Sequence, residues 1–107
     1  MAIKIETRDG VCRVGLTGEM TIYFAADIKK QLLPCIGLGA ELEINLSGVG
    51  EIDTAGFQLL LLAKREAAKA GKPMRLVEHS AATVEVLDLL NMSAYFGDPV
   101  IMPRVAH

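Results

Sequence analysis

The sequence predicts a single α/β domain spanning residues 1–107, with a mixed sheet of four or five strands and three to four helices. Two observations predict this class. A chain of 107 residues, 51% of them hydrophobic, fits one compact domain with its own core. After two opening strands, helical and alternating stretches follow one another, which is typical of βαβ units and a mostly parallel sheet.

The first 18 residues predict a β-hairpin. Ile3 and Ile5 alternate with charged residues, and the stretch Arg-Asp-Gly at 8–10 is a turn signal. The second strand should run from Val11 to Gly18. Alternate side chains of this strand should face the core: Cys12, Val14 and Leu16.

Residues 19–36 change to helical spacing. Thr21 is of the type that caps a helix N-terminus, and Pro34 disfavours helical geometry at Leu33. The helix is therefore expected to begin after Thr21 and to end or kink at Leu33. One apolar face should pack on the core: Ile22, Ala25, Ala26, Ile28, Leu32 and Leu33.

The central part of the chain predicts a strand, a loop and a helix. Residues 41–48 alternate, with Leu42, Ile44 and Leu46 facing inward. Residues 48–53 should bridge to the next helix. That helix should begin at about Thr54 and end before Gly71, because cations in its last turns and a following glycine are favourable there.

The C-terminal third predicts one more βα unit and a final short strand. The strand should cover residues 73–79, and Ser80 should cap a helix over residues 81–92. The inward stripe of that helix is expected to consist of Val84, Leu87 and Leu90. The last strand is expected at residues 100–102, ended by a proline.

Composition argues against two classes of partner. Eleven basic and thirteen acidic residues give a net charge of −2 without a basic cluster, so we expect no nucleic-acid binding. No apolar run approaches the roughly 20 residues of a membrane span. The charged N-terminus does not look like a signal peptide. We therefore expect a cytoplasmic protein without membrane insertion.

The reactive residue types do not form a recognisable catalytic or metal motif. Cys12 and Cys35 are not in a CxxC arrangement, and His79 and His107 lack metal-ligand spacing. We expect two reduced, mostly buried thiols, no metal and no cofactor. No Ser-His-Asp arrangement, Walker-type loop or paired-carboxylate motif is suggested, so independent catalysis is not expected.

The stretch that carries chemistry is residues 41–62, ELEINLSGVGEIDTAGFQLLLL. It combines a strand that ends in Asn45, the dipeptide Leu-Ser, a short loop and then Asp53-Thr54-Ala55-Gly56 at the start of an apolar helix. Aspartate and threonine are residue types that cap a helix. They are also types that accept or position a phosphate, so this helix start is a candidate functional site.

This order of elements resembles the STAS domain, the fold of bacterial anti-sigma factor antagonists. The resemblance extends to Leu16–Met20, at the junction of strand and helix, and to Gly71–Phe96, at a later strand and helix, so it covers nearly the whole chain. It implies a single STAS-type domain. Phe57 departs from the pattern, because the family usually has leucine there.

The resemblance also implies a function and a modification site. In that family the hydroxyl residue directly after the aspartate is phosphorylated, and here that residue is Thr54. The kinase is a histidine-kinase-like ATPase, and a PP2C-type phosphatase removes the phosphate. The unmodified protein binds the kinase, which releases what it was holding, often a sigma factor. The residues expected to contact the partner are Asp53, Ala55, Gly56, Phe57, Glu19, Thr21 and Tyr23.

Several roles remain open at this point. Phe57 fits an interface anchor or the core, and Gly56 allows close approach of either a loop of the same domain or a partner. Of Tyr23 and Phe24, one should face the core and the other could be exposed. Asp53 could orient Thr54 or bind a metal brought by the partner.

Two related functions use the same fold. STAS domains also serve as subunits of a phospholipid ABC transporter, where a threonine lies in a similar DTGG stretch. A STAS switch can also act in chemosensory or two-component signalling, with the same use of Thr54.

Overall fold

The computed structural model describes residues 2–89. They form a four-stranded mixed sheet in the order β1-β2-β3-β4, with three α-helices. A short 3-10 segment, Leu33–Gly37, follows the first helix. The elements are β1 Ala2–Arg8, β2 Val11–Met20, α1 Ala25–Leu32, β3 Glu41–Ile52, α2 Thr54–Lys69, β4 Met74–Val77 and α3 Ala81–Leu89.

The predicted hairpin and the parallel sheet are confirmed. β1 pairs antiparallel with β2, whereas β2 with β3 and β3 with β4 are parallel. Asp9 and Gly10 both have positive φ, 54° and 79°, and Arg8 pairs with Val11 across them. Two successive residues of positive φ make the tight turn whose twist matches that of the flanking strands.

The core lies on one face of the sheet. The alternation predicted for β2 and β3 is confirmed, since six side chains on that face are buried: Cys12, Val14, Leu16, Leu42, Ile44 and Leu46. Helix α2 adds Leu60 and Ala63, both fully buried. Each buried leucine contributes roughly 1.5–3 kcal/mol relative to an exposed one, so this face supplies most of the stability.

The opposite face is polar. Glu43 on β3 forms ion pairs with Arg13 on β2, at 3.2 Å, and with Arg75 on β4, at 3.0 Å. These pairs are partly exposed, so each contributes at most about 1 kcal/mol.

Strands β2 and β3 are longer than predicted, which corrects the loop expected at residues 48–53. Their pairing continues to Met20 and Ile52, with register shifts between Gly15 and Thr17 and between Gly18 and Glu19. At each shift β3 contains one extra residue. Because a bulge accommodates an extra residue, a strand can continue through glycines and polar residues that would by themselves predict a loop.

The side chain of Asn45 supports the first of these bulges. Its Oδ1 accepts the Ser47 backbone N–H at 2.9 Å and the Ser47 hydroxyl at 2.7 Å. Its Nδ2 donates to Glu78 Oε2 at 2.6 Å. The Asn-Leu-Ser stretch therefore shapes the strand that leads to the helix start at Thr54.

The predicted start of the first helix is wrong. Helix α1 begins at Ala25, and its N-cap, Phe24, makes no side-chain capping bond. Residues 21–24 form a turn instead, in which the Thr21 carbonyl accepts the N–H groups of Phe24 and Ala25, both at 2.9 Å. Because Ile22 lies in this turn and not in the helix, it is 68% exposed and does not pack on the core as predicted.

The boundaries of the later helices agree with the sequence. Helix α2 begins at Thr54, and Gly71, with φ 72°, follows its end. The Ser80 hydroxyl accepts the Thr83 N–H at 3.2 Å, as expected for the cap of α3. In α3, Leu87 is buried and Val84 is half-buried. Leu90 and the strand expected at residues 100–102 lie outside the described residues.

Both cysteines are buried, as expected. Burial, together with the neighbouring Cys12, raises the pKa of the Cys35 thiol to about 11. That thiol is therefore protonated at neutral pH, the unreactive form. Among the helices of residues 2–89, none has the length and apolarity that a bilayer span requires.

Candidate functional site

The end of β2 and the start of α2 are joined by Asp53. Its backbone N–H donates to the Met20 carbonyl at 3.2 Å. Its side chain accepts two further backbone N–H groups, that of Ile22 at 2.9 Å on Oδ2 and that of Gly56 at 3.0 Å on Oδ1. One aspartate thus holds the 21–24 turn against the first turn of α2, so the two predicted contact segments do meet.

Asp53 is the N-cap of α2, with extended backbone geometry at φ −112° and ψ −173°. The Ile22 N–H, followed by the Gly56 N–H, lowers the pKa of this carboxyl below its ordinary value. The group is therefore ionised at neutral pH. Since each carboxylate oxygen accepts a backbone N–H, the aspartate orients main chain and is not hydrogen-bonded to the Thr54 side chain.

Thr54 is the first residue of α2 and is exposed. Its hydroxyl makes no hydrogen bond with any part of the chain that the structure describes. The neighbouring carboxylate, which could act as a base, is engaged by main-chain N–H groups. The arrangement presents an exposed hydroxyl at the first position of the helix.

Gly56 packs directly against the end of β2. A Cβ at this position would overlap the Met20 carbonyl oxygen and lie 2.8 Å from the Met20 carbonyl carbon. Real Cβ atoms do not approach that closely. The sequence left two possible neighbours for Gly56, a segment of the same domain or a partner. The structure shows a segment of the same domain, the end of β2.

Two further predicted contact residues are buried. Phe57 is 6% exposed and belongs to the core. Thr21 is 4% exposed, and its hydroxyl has no hydrogen-bond partner among the described residues. Both side chains lie beneath the exposed surface of the site and do not form part of that surface.

The exposed part of the site includes Ile22, which the sequence predicted to face the core. Glu19 is exposed at the end of β2. Tyr23 is 87% exposed, whereas Phe24 is half-buried against the core, as one of the two was expected to be. Ile22 adds a large apolar side chain beside Tyr23. The sequence did contain a signal for this exposed surface. Three bulky residues follow one another at 22–24, and a turn can bury only some of them.

A groove between α1 and α2 adjoins Thr54 and was also missed. It has a volume of about 500 Å³. Ala55, a predicted contact residue, lines it. The rest of the lining includes Ala25, Ala26, Leu61, Leu62, Lys29 and Arg65. Ala26 was predicted to pack on the core, but it is exposed. The sequence shows these residues on two separate helices, so only the packing angle of the helices brings them together.

The described residues contain no group of three or more histidine, cysteine, aspartate or glutamate side chains placed to hold a metal ion. Both oxygens of Asp53 accept backbone N–H groups. The candidate site is thus an exposed hydroxyl, an anchored turn and an apolar groove.

A family model described as "Mlab, STAS domain" matches residues 3–101. The chain belongs to the STAS domain family.

Similar proteins carry the name of anti-sigma factor antagonist. The curated anti-sigma-B factor antagonist of Bacillus subtilis strain 168 is 22% identical over 90 residues, which cover 84% of this chain and 83% of that protein. The crystal structure of an anti-sigma factor antagonist from Mycobacterium paratuberculosis superposes with a TM-score of 0.82 at 22% identity, over 94% of this chain and 86% of that one.

A further similar structure is that of the Bacillus cell fate determinant SpoIIAA in its phosphorylated form. Its TM-score is 0.67 at 18% identity, and the match covers 94% of this chain and 93% of that one. At these identities the likeness shows a shared fold.

Proposed function

We propose that this protein is a non-catalytic cytoplasmic regulator of the anti-sigma factor antagonist type. It binds a histidine-kinase-like ATPase, which phosphorylates it on Thr54, and a PP2C-type phosphatase reverses the modification. The observation that carries the proposal is the exposed Thr54 hydroxyl at the first position of α2, beside the turn that Asp53 holds in place. The relatives named as antagonists, and the similar structure of SpoIIAA in its phosphorylated form, support it.

Electrostatics explains how a phosphate could act here without unfolding the domain. A phosphothreonine carries about −1.5 to −2 charges at neutral pH. The N-terminus of a helix carries partial positive charge and tolerates an anion. Because Thr54 is exposed, the phosphate stays hydrated while it repels the ionised Asp53 next to it. The phosphate would therefore block a partner that fits a small hydroxyl, and the fold would remain.

A pull-down tests this proposal. Wild-type protein, Thr54→Glu and the control Thr7→Glu are used as baits, and the partners are identified by mass spectrometry. Thr7 is an exposed threonine of β1, away from the site, so it controls for the added charge. Wild type and Thr7→Glu should recover a histidine-kinase-like ATPase, and Thr54→Glu should lose it. Equal recovery by all three proteins would contradict the proposal.

A second candidate is a fixed subunit of a phospholipid ABC transporter. The observation in its favour is that the matching family model is described as the STAS domain of Mlab and not as an antagonist. In this case all three baits should recover an ABC transporter ATPase. A switch in chemosensory or two-component signalling would instead behave like the first proposal, with a signalling protein in place of a sigma factor downstream.

A further inference from the structure

The groove between α1 and α2 exposes apolar surface, although Leu59 and Leu61 in its lining also pack on the core. Its walls include Ala25 and Ala26 from α1 and Ala55 from α2, and Leu61 and Leu62 line it further along α2. Ala26 is exposed, and both leucines are only half-buried. Apolar surface left open in this way between two helices is suited to a binding partner.

The groove is also positively charged. Lys29 and Arg65 line it, and its lining contains no acidic residue. Neither cation forms an ion pair with another residue in the range 2–89. Arg13, Arg75 and Lys69 do form ion pairs. Lys30, however, also forms none in this range, so what distinguishes Lys29 and Arg65 is their position in the groove. A ligand with carboxylates would therefore find two charges that the described residues do not neutralise.

The dimensions suit a helix. Ala55 and Arg65 are ten helical positions apart, which corresponds to about 15 Å along the α2 axis. A helix of about ten residues covers that length. The alanines on both walls allow a helix backbone to come close, and the leucines offer apolar contact to its stripe, as in other helix-in-groove recognition.

We propose that this groove binds an amphipathic helix of a protein partner, in which aspartate or glutamate side chains flank the apolar stripe and pair with Lys29 and Arg65. The inference rests on the proposed function, because it assigns this helix to the partner whose binding depends on the phosphorylation state of Thr54. Since Ala55 lines the groove and directly follows Thr54, a phosphate on Thr54 would lie at one end of the docked helix. Like charges would then repel, so the modification would release the partner.

A second copy of the chain is the main competing occupant. Helix α3 presents acidic Glu85 and Leu89, which is 82% exposed. Docking α3 of one copy into the groove of the next would give open chains if the contact were head-to-tail, and a closed dimer if two copies docked reciprocally about a two-fold axis. Because Thr83 and Leu87 of α3 are buried within their own chain, α3 has no complete apolar stripe left for the groove. A helix of a different protein is therefore the better occupant, and the test separates the two cases.

The test uses a displayed library of helical peptides. Leucines are fixed at positions i, i+3, i+4 and i+7, and all other positions are randomised. Selection on wild-type protein should enrich aspartate and glutamate beside the apolar stripe. Enrichment without acidic bias, or no binders at all, would overturn the proposal. So would displacement of the selected peptides by a fatty acid such as oleate, or concentration-dependent self-association that depends on Lys29 and Arg65.

Charge-reversal variants provide the matched control. Lys29→Glu with Arg65→Glu should weaken the best peptide by about tenfold or more and flatten the salt dependence of its binding. Lys30→Glu, at an exposed lysine next to Lys29 but outside the groove, should leave the affinity nearly unchanged. Equal affinities for all variants would overturn the proposal, and matching thermal melts would show that each variant is folded.

The recovered ATPase separates this inference from the proposed function. If the ATPase is lost by Thr54→Glu but still bound by the Lys29→Glu, Arg65→Glu double variant, the phosphoregulation stands and the groove inference fails. If acidic peptides bind the groove but no ATPase is recovered at all, the proposed function fails and the groove remains a docking site for an acidic helix.

Discussion

The carboxylate of Asp53 accepts the backbone N–H of Ile22 at 2.9 Å, 31 residues away in sequence. The other oxygen of the same carboxylate accepts the Gly56 N–H. An N-cap that serves only its own helix would make the second bond alone. The first bond ties the exposed Ile22 and Tyr23 to the helix start that carries Thr54, so it fixes the candidate surface as one unit.

Replacing Asp53 should loosen this surface and lower stability. Asp53→Ala removes both accepted hydrogen bonds, so its Tm should fall by several degrees. Asp53→Asn keeps one acceptor oxygen, so its Tm should fall less. The control is Asp27→Asn, an exposed aspartate in the first turn of α1, which loses only its favourable interaction with the helix dipole, so its Tm should fall less than that of Asp53→Ala. Thermal unfolding followed by circular dichroism measures all four proteins. A Tm for Asp53→Ala equal to that of wild type would show that the cap is dispensable.

The same carboxylate should make stability depend on pH. Its pKa is lowered in the folded protein, by the Ile22 N–H first and the Gly56 N–H second. Its contribution is therefore complete above the unfolded pKa of about 3.9 and is lost as the pH falls through the folded value. The gap in Tm between wild type and Asp53→Asn should be constant from about pH 7 to pH 5 and shrink below about pH 4. A gap that stays constant down to about pH 2.5 would contradict this assignment.

Gly56→Ala should be strongly destabilising, although alanine is the better helix former. The new Cβ would overlap the Met20 carbonyl oxygen, which is backbone and cannot move aside without shifting β2. We expect a loss of about 2–3 kcal/mol in the free energy of unfolding, measured by urea denaturation. The control is Gly50→Ala, where a Cβ meets nothing within 4 Å. A Gly56→Ala protein as stable as wild type would rule out the close packing described here.

Thr21→Val should raise stability. The Thr21 hydroxyl is buried with no hydrogen-bond partner in the described part of the chain, and valine has nearly the same shape without the polar group. Removing an unsatisfied buried hydroxyl should gain about 1 kcal/mol in the free energy of unfolding. Thr17→Val, at an exposed position of β2, should gain nothing. If Thr21→Val is less stable than wild type, the hydroxyl has a favourable contact after all.

Elements with local signals could be predicted from the sequence. The alternation of Leu42, Ile44 and Leu46 predicts an inward-facing strand because the side-chain period of a strand is two. Asp53 and Ser80 predict helix starts because their side chains satisfy backbone N–H groups within three residues. Thr54 could be placed at the exposed start of α2 for the same reason.

Features that depend on packing between distant segments could not be predicted. Thr21 is a good capping residue by type, but its carbonyl closes a turn and its hydroxyl is buried. β3 continues through Gly48 and Gly50 because its pairing with β2 contains bulges. The residues around these glycines do not indicate which strand is the partner. The groove required the relative placement of Lys29 and Arg65, which belong to different helices.

The most direct test of the central claim is the affinity of the recovered ATPase for this chain with and without phosphate on Thr54. We predict that the phosphorylated protein binds at least about tenfold more weakly, because the dianion blocks the contact. Its Tm should change by no more than about a degree or two, since the helix N-terminus tolerates the anion. Equal affinity would contradict the claim that Thr54 is a regulated contact. Weaker binding accompanied by unfolding would contradict the claim that the phosphate acts at the interface.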